Sequence, residues 1–523
     1  MYAPNIDWMT AALAILCLVI FSPVLVKKLY TLVNGHRRLP YPPGPKGWPI
    51  LGSILDLPEY RLWEWAAEQA KTHGNLVFIK VLGKSMLFVN SYSDATELLE
   101  KKSAIYSSRT RLVFARELQG WDWMSVLMPY NEELRKRRAV IHRFTQTTAL
   151  PSYIPIQMQA VYILLQSIVE TPRNYDKHVR RFPGAIILEA AYGHRVASEN
   201  DPLVELADSG VRTLTDAERL YMVDFFPWLK YMPEFLPGTN FKRRARAGYE
   251  TARTMMTKPY AEAKKRYLEG EGNPCMVSQL IQENIDADGN ISNEDVIASS
   301  SGMLYSAGQD TTTASIMTAL LALTLYPEVQ RRAQEELDQV IGKDTLPTIH
   351  DRKRLPYVNA VCAEAMRWNT ILPFGMPYCS TQDDNYKGYF IPAGTIVYPN
   401  IWAMSQNARE YPDPEKFDPE RYLPREGRTP SMHPASFIFG FGRRSCPGDE
   451  LAQSAVFLAI SSILASFNVS KTIDVDGTPI EPEVVYLPPI IMNTFKWFEC
   501  TILPRSQIMA DHVQQLDVDV KSR

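Results

Sequence analysis

The sequence predicts a mainly α protein with a small β part, preceded by one N-terminal transmembrane helix. Three observations lead there. Most segments of the 523-residue chain repeat apolar residues at helical spacing. Only short stretches, 77–90, 386–397 and 494–503, read as strands. One run of 19 residues without a charge, Trp8 to Val26, stands near the start. About 20 such residues span a bilayer.

The anchor comes first. Only Asp7 is charged before the run, whereas Lys27, Lys28, Arg37 and Arg38 follow it. Positive charge stays on the cytosolic side, so residues 1–7 are expected in the lumen, 8–26 in the membrane and the rest in the cytosol. A cleaved signal peptide carries its positive charge first and ends in a small-residue cleavage site, which this sequence lacks. Residues 27–52 form a basic, Pro-rich hinge containing Leu39-Pro-Tyr-Pro-Pro-Gly-Pro45, expected as a semi-rigid spacer. A body over 53–505 and a polar tail over 506–523 follow.

Within the body, Arg61 to His73 is expected helical and Val77 to Asn90 a hairpin turning at Gly83-Lys84. Residues 155–171 and 240–268 are expected helical again. Ser292 to Tyr326 is the longest helix, with Ser292-Asn-Glu-Asp295 as a capping box and Pro327 as its stop. At about 1.5 Å per residue it crosses the whole body. Pro327 to Gly342 and Tyr357 to Trp368 are amphipathic helices.

Composition excludes several classes. Lys+Arg is 56 and Asp+Glu 58, a net charge of −2, without the basic excess of a nucleic-acid binder. With 46% hydrophobic and 22% charged residues the chain buries a large core and is not disordered on a large scale. The six cysteines contain no CxxC pair, which excludes local zinc ribbons, redox motifs and a disulfide framework.

Chemistry concentrates near the carboxyl end, in Phe439-Gly-Phe-Gly442-Arg-Arg444-Ser-Cys446-Pro-Gly448. All five fixed positions of FxxGxRxCxG are filled. A cysteine that ligates iron must be a thiolate. Nearby glycines let backbone N–H groups reach the sulfur and tune it. Gly448 frees the chain to pass beneath a flat cofactor, Phe439 covers the sulfur, and Arg444 suits a carboxylate of the cofactor.

On these residues the chain resembles the cytochrome P450 superfamily of haem-thiolate monooxygenases, over about residues 40–505. In particular it resembles fungal microsomal members that oxidise secondary metabolites or xenobiotics. The resemblance implies the P450 fold for 53–505 and haem b (heme b) with Cys446 as axial iron ligand. It further implies O2, a lipophilic small-molecule substrate, membrane lipid and an NADPH–cytochrome P450 reductase as partners, and no nucleic acid. The place would be the endoplasmic reticulum membrane, catalytic domain in the cytosol. The chain has no flavin or nicotinamide fingerprint, so the electrons need that separate reductase.

Two further motifs occur in the family's order. Glu364-Ala-Met-Arg367 matches ExxR, and Phe417-Asp-Pro-Glu-Arg421-Tyr422 resembles the PERF segment with Tyr for Phe. The resemblance makes Glu364, Arg367 and Arg421 a buried structural triad, tolerable only while paired. Ala307-Gly308-Gln-Asp310-Thr311-Thr312 matches AGx[DE]TT. Its small residues are expected to leave room for oxygen and to loosen the helix. Asp310 and Thr311 are expected to relay protons, with Thr312 in support. Taken alone, the same residues read as a helix with threonines bonded to the preceding turn.

The chain also departs from the family. WxxxR is replaced by Leu134-Arg-Lys-Arg-Arg138, so Arg138 is present and the Trp is not. Tyr378 stands where many relatives carry His or Arg. The propionates are left to Arg138 and Arg444, and a somewhat looser haem is expected. The run Arg135–Arg138 is a candidate reductase-docking patch. The apolar stretch 225–235, followed by Lys242, Arg243, Arg244 and Arg246, is either core or lipid-facing. Pocket walls come by position alone: Trp121, Trp123, Met303, Ala307, Phe374 and Ile490. Apart from a monooxygenase, the alternatives are a haem-thiolate isomerase or dehydratase needing no reductant, and a non-catalytic haem sensor.

Overall fold

The computed structural model describes residues 39–196, 201–217, 221–427, 429–486 and 492–516. The predicted anchor, 8–26, and Ile490 lie outside them. No described helix is long and apolar enough to cross a membrane.

By its contacts the chain divides into two compact units. Among the described residues, the small one joins 39–42 to 383–391, and the large one holds those of 43–382 and 392–516. The large unit opens with α1 (Leu62–His73), β1 (Leu76–Val81) and β2 (Lys84–Val89). The β1–β2 turn sits at Leu82-Gly83, one residue before the expected place, with φ of 48° and 86°. Two left-handed residues give the tight hairpin turn that matches strand twist. Then come α2 (Glu132–Thr145), α3 (Leu150–Glu170), α4 (Tyr175–Tyr192), α5 (Pro202–Ala217), α6 (Asn240–Leu268) and α7 (Met276–Asn284). They are followed by α8 (Glu294–Leu325), α9 (Pro327–Val340), α10 (Pro356–Trp368) and β3 (Tyr378–Cys379). The small unit carries the hairpin of β4 (Asp384–Tyr386) and β5 (Tyr389–Ile391), with the Phe390 N–H donating to the Pro40 carbonyl at 2.8 Å. The large unit closes with β6 (Ile396–Pro399), α11 (Asp449–Ser466), β7 (Phe467–Ser470), β8 (Thr501–Pro504) and α12 (Gln507–Gln515).

The main sheet has the order β1-β2-β6-β3, with β2 and β6 parallel and the other pairs antiparallel. α8 runs through two cores. Its residues 316–323 pack with α3, α4, α9, α10 and α11. Its residues 297–305 pack with α4, α6, α7 and the 113–127 segment. The 307–312 motif lies between them.

Three expectations about segments change. Ser292 does not cap α8: its hydroxyl bonds Asn284, Asn293 takes a left-handed φ of 56° at the cap, and Asp295 turns to Arg137 at 2.9 Å. Residues 43–52 are not a free spacer, because the Phe78 N–H donates to Pro43 and the Ser53 N–H to Lys80, both at 2.8 Å. At Gly52, φ is 65° and any Cβ would stand 1.8 Å from the Lys80 carbonyl oxygen. The polar tail folds back as α12, burying Met509 and Val513, with Gln166 of α3 donating to the carbonyls of Val513 and Leu516. Apolar residues three or four apart within a polar segment are what allow that docking.

Candidate active site

The 435–448 segment is a loop leading into the N-terminus of α11. Gly440 and Gly442 have φ of 78° and 55°. A Cβ on Gly442 would lie 2.3 Å from the Leu99 carbonyl oxygen, so this position admits only glycine. The Cys446 N–H donates to the Phe439 carbonyl at 2.7 Å, closing the loop, while Phe439 itself is half-buried. The Gly448 N–H bonds the Cys446 sulfur, as the glycine argument requires. Cys446 is open on one side yet lies deep in the protein. Burial pushes its thiol up to about 11, against the Gly448 N–H and the Arg138 charge. The protein alone keeps this thiol protonated near neutral pH; a bound cation removes the proton outright.

Three arginines gather around the loop. Arg138, on α2, donates to the Ser445 carbonyl at 2.8 Å. Arg444 donates to the carbonyls of Ser107, Ser125 and Met128 at 2.7, 3.2 and 2.5 Å. Arg109 donates to Val126, Met376 and Pro377 at 3.0, 3.1 and 2.7 Å and stacks 4.7 Å from the Tyr378 ring. Among the described residues no carboxylate pairs with any of the three. Burial lowers all of them, Arg109 to about 10 and Arg444 to about 9, and repulsion from the neighbouring arginines adds to it at Arg109 and Arg444. Buried cations without anions are costly, so the cluster is built for an anionic partner from outside the chain. The two carboxylates of haem b fit it.

Arg109 was not legible in the sequence. Nothing distinguishes it from Arg111, which pairs with Glu117 at 2.6 Å. It supplies a cation beside the position where Tyr378 has none. Tyr378 is not a cofactor donor: its hydroxyl donates to the Phe441 carbonyl at 3.1 Å and accepts from the Phe441 N–H at 2.9 Å. Leu134 is fully buried, so a Trp there would overpack the core.

The triad assembles as expected. The Glu364 carboxylate accepts from Arg367 Nε and Nη2 at 2.8 Å, from Arg421 Nε at 3.0 Å and from the Asp418 N–H at 2.9 Å. Tyr422, the residue that departs from PERF, adds its hydroxyl at 2.9 Å.

On α8, Thr311 Oγ1 donates to the Ala307 carbonyl at 3.0 Å, the bond to the preceding turn that the bare sequence suggested. Asp310 points elsewhere, with Oδ1 3.4 Å from Arg180 Nη1 of α4. Burial pushes its carboxyl up to about 6, with Arg180 opposing. The two side chains share no hydrogen bond. Gly308 does not clear room for oxygen: a Cβ there would stand 2.8 Å from Ile187 of α4, and α8 stays helical throughout. Its role is close helix packing.

Of the pocket residues, Trp121 and Trp123 are core, pinned by their indole N–H groups to Gln119 and the Ala252 carbonyl, both at 3.1 Å. Phe374 packs on Phe88 and Tyr398 at 5.6 and 5.2 Å. Met303 is half-buried and Ala307 exposed. Of the basic run, Arg135 and Lys136 are exposed while Arg137 and Arg138 turn inward. Arg137 is buried against Glu133, Asp295 and Ser299, Lys136 pairs with Glu133, and Arg138 turns to Ser445.

A lone cysteine on a glycine-bent loop, with three arginines around it that no carboxylate pairs among the described residues, defines a haem-thiolate class of site. Comparison with known proteins gives the same class. The family described as Cytochrome P450 matches residues 42–495, and the chain belongs to it. It is 37% identical to Cytochrome P450 monooxygenase claR of Ampulloclitocybe clavipes, over 99% of this chain and 95% of the relative. It is 36% identical to Cytochrome P450 monooxygenase 208 of Postia placenta, over 92% and 94%. It is 38% identical to Cytochrome P450 monooxygenase COX2 of Coprinopsis cinerea, over 91% and 92%. The protein is thus an oxidoreductase of the P450 monooxygenase kind, a family that carries haem on an axial cysteine thiolate.

Proposed function

We propose that this chain inserts one oxygen atom from O2 into a lipophilic organic substrate, with electrons from NADPH through a separate reductase. The observation that carries the reading is the carboxylate-free cluster of Arg109, Arg138 and Arg444 around the Cys446 loop. Cys446 would hold the iron, the three arginines the propionates, and Phe439 and Gly448 the loop against the macrocycle. When bound, haem supplies oxygen activation, which the thiolate's electron donation favours. The rest belongs to the chain's own side chains. Glu364, Arg367 and Arg421 fix the fold behind the cysteine. Asp310, near neutrality at about 6, holds and releases protons at working pH, and Thr311 presents its hydroxyl one residue on.

Membrane attachment through 8–26, at the endoplasmic reticulum with the catalytic body in the cytosol, belongs to the same proposal. Trp228, Tyr231 and Phe235 are 61%, 78% and 84% exposed beside the basic start of α6, so this stretch is not core and suits lipid. The fungal relatives support a place in secondary metabolism or xenobiotic oxidation.

The test follows product formation with reductase, NADPH and air, on lipophilic compounds chosen by the spin-state change they induce. Product dependent on both NADPH and O2 is expected. Equal product without NADPH would instead establish an isomerase or dehydratase, and bound compounds never converted a sensor.

A further inference from the structure

Asp310 is not the only carboxylate at this point of α8. Arg180 Nη1 of α4 lies 2.9 Å from Asp208 Oδ1 of α5 and 3.4 Å from Asp310 Oδ1, so one guanidinium serves two acids. Asp208 Oδ1 also accepts from Gln309 Nε2 at 2.9 Å. Gln309 is buried, and it has room because α4 carries Gly184, where a Cβ would stand 3.2 Å from Gln309 Oε1. Gly308 lets α4 approach α8 beside it, bringing Arg180 within reach. Exposure grades from outside inward: 44% for the Arg180 side chain, 22% for Asp208 and 15% for Asp310. Asp310 Oδ2 is buried and has no hydrogen-bond partner among the described residues. An unbonded buried carboxylate oxygen is costly, and a proton on it lowers that cost.

We propose that Asp208, outside every motif, and Gln309, at the variable position of the 307–312 motif, are positioning residues that hold Arg180 as a shared latch between two carboxylates and thereby govern the protonation of Asp310. The inference rests on reading Asp310 as the proton-delivering acid. Only a proton moves. The O–H bond at Asp310 Oδ2 breaks as its proton passes to a water molecule, leaving the carboxylate, and it re-forms with a proton from solvent hydronium on the side of Arg180 and Asp208. The charged groups that act on Asp310 are Arg180 from α4 and Asp208 and Arg212 from α5; Arg212 also donates to Ser209 at 2.9 Å. With Asp208 neutralised, Arg180 is left wholly to Asp310 and favours its ionised form. With Arg180 neutralised, two facing carboxylates oppose ionisation. The two substitutions therefore push in opposite directions.

The experiment uses the haem-loaded full chain, reduced chemically and mixed with air-saturated buffer, and reads the reoxidation rate against pH. The parent, Asp208→Asn, Arg180→Gln, Gln309→Leu and Asp310→Asn are compared. The pH midpoint is expected to fall by about one unit in Asp208→Asn and to rise by about one unit in Arg180→Gln. Gln309→Leu, which frees Asp208 from its second donor, should shift it less than either. Asp310→Asn should abolish the transition. If Asp310→Asn leaves the midpoint in place, the role of Asp310 is wrong. If it abolishes the midpoint while the two latch variants shift it together or not at all, the latch is wrong and Asp310 stands. Loss of fold, read from the haem spectrum, lowers every rate without moving midpoints in opposite senses.

Discussion

Replacing Tyr422 by Phe removes one hydroxyl and restores the residue that the PERF pattern carries. No cavity opens, because only an oxygen is lost. The cost falls on the Glu364 carboxylate, which accepts five hydrogen bonds, two from Arg367 and one each from Arg421, the Asp418 N–H and Tyr422. A bond to a charged acceptor contributes roughly 1.5–3 kcal/mol. Tyr422 is half-buried and Glu364 Oε2 keeps Arg367 Nε, so about 1–2 kcal/mol is expected. Breaking the buried pair itself, by Glu364→Gln, should cost about 3–5 kcal/mol. Equilibrium urea unfolding of the parent, both single variants and the double variant separates these terms. On the Glu364→Gln background the Tyr422→Phe loss should shrink to less than half, since the acceptor's charge is gone. A Tyr422→Phe variant as stable as the parent, or one that loses equally on both backgrounds, would refute the reasoning.

Arg109→Gln should speed transfer of haem to excess apomyoglobin by about tenfold, the factor for one charge-assisted contact, while Arg111→Gln should leave the rate unchanged. Gly442→Ala places a Cβ against the Leu99 carbonyl at a left-handed φ and should cost more than about 2 kcal/mol, with lowered haem content in the purified protein. Asp310 has a folded pKa of about 6 against an ordinary 3.8, so the native state binds this proton more tightly than the unfolded chain does. Its stabilising contribution is complete below about pH 3.8 and is lost as pH rises through about 6. Asp310→Asn should therefore gain stability over the parent across that window, by up to about 3 kcal/mol, and the gain should stay level above it.

Much of the site was legible because its chemistry is local in sequence. The loop from Phe439 to Gly448 carries its ligand, its bends and its backbone donors within ten residues. The long helix was legible from a stretch of 35 residues, Ser292 to Tyr326, that no proline interrupts before Pro327 ends it. What escaped depends on segments far apart in the chain. Arg109 joins the site through carbonyls of residues 376 and 377, and Tyr378 is drawn away by Phe441. Asp208 and Arg180 reach α8 from two other helices. The parallel pairing of β2 with β6 leaves no mark on either strand alone. Ser292 shows the opposite failure, a local capping signal overridden when Asn284 offers its hydroxyl another partner and Arg137 claims Asp295.

The claim that Cys446 is an iron-bound thiolate is tested most directly by the carbon-monoxide spectrum of the reduced, haem-loaded protein. The parent should show the strongly red-shifted Soret band of a thiolate-ligated haem, and Cys446→Ser should lose that band while Cys379→Ser keeps it. A parent without the band, or a Cys446→Ser variant that retains it, would contradict the assignment.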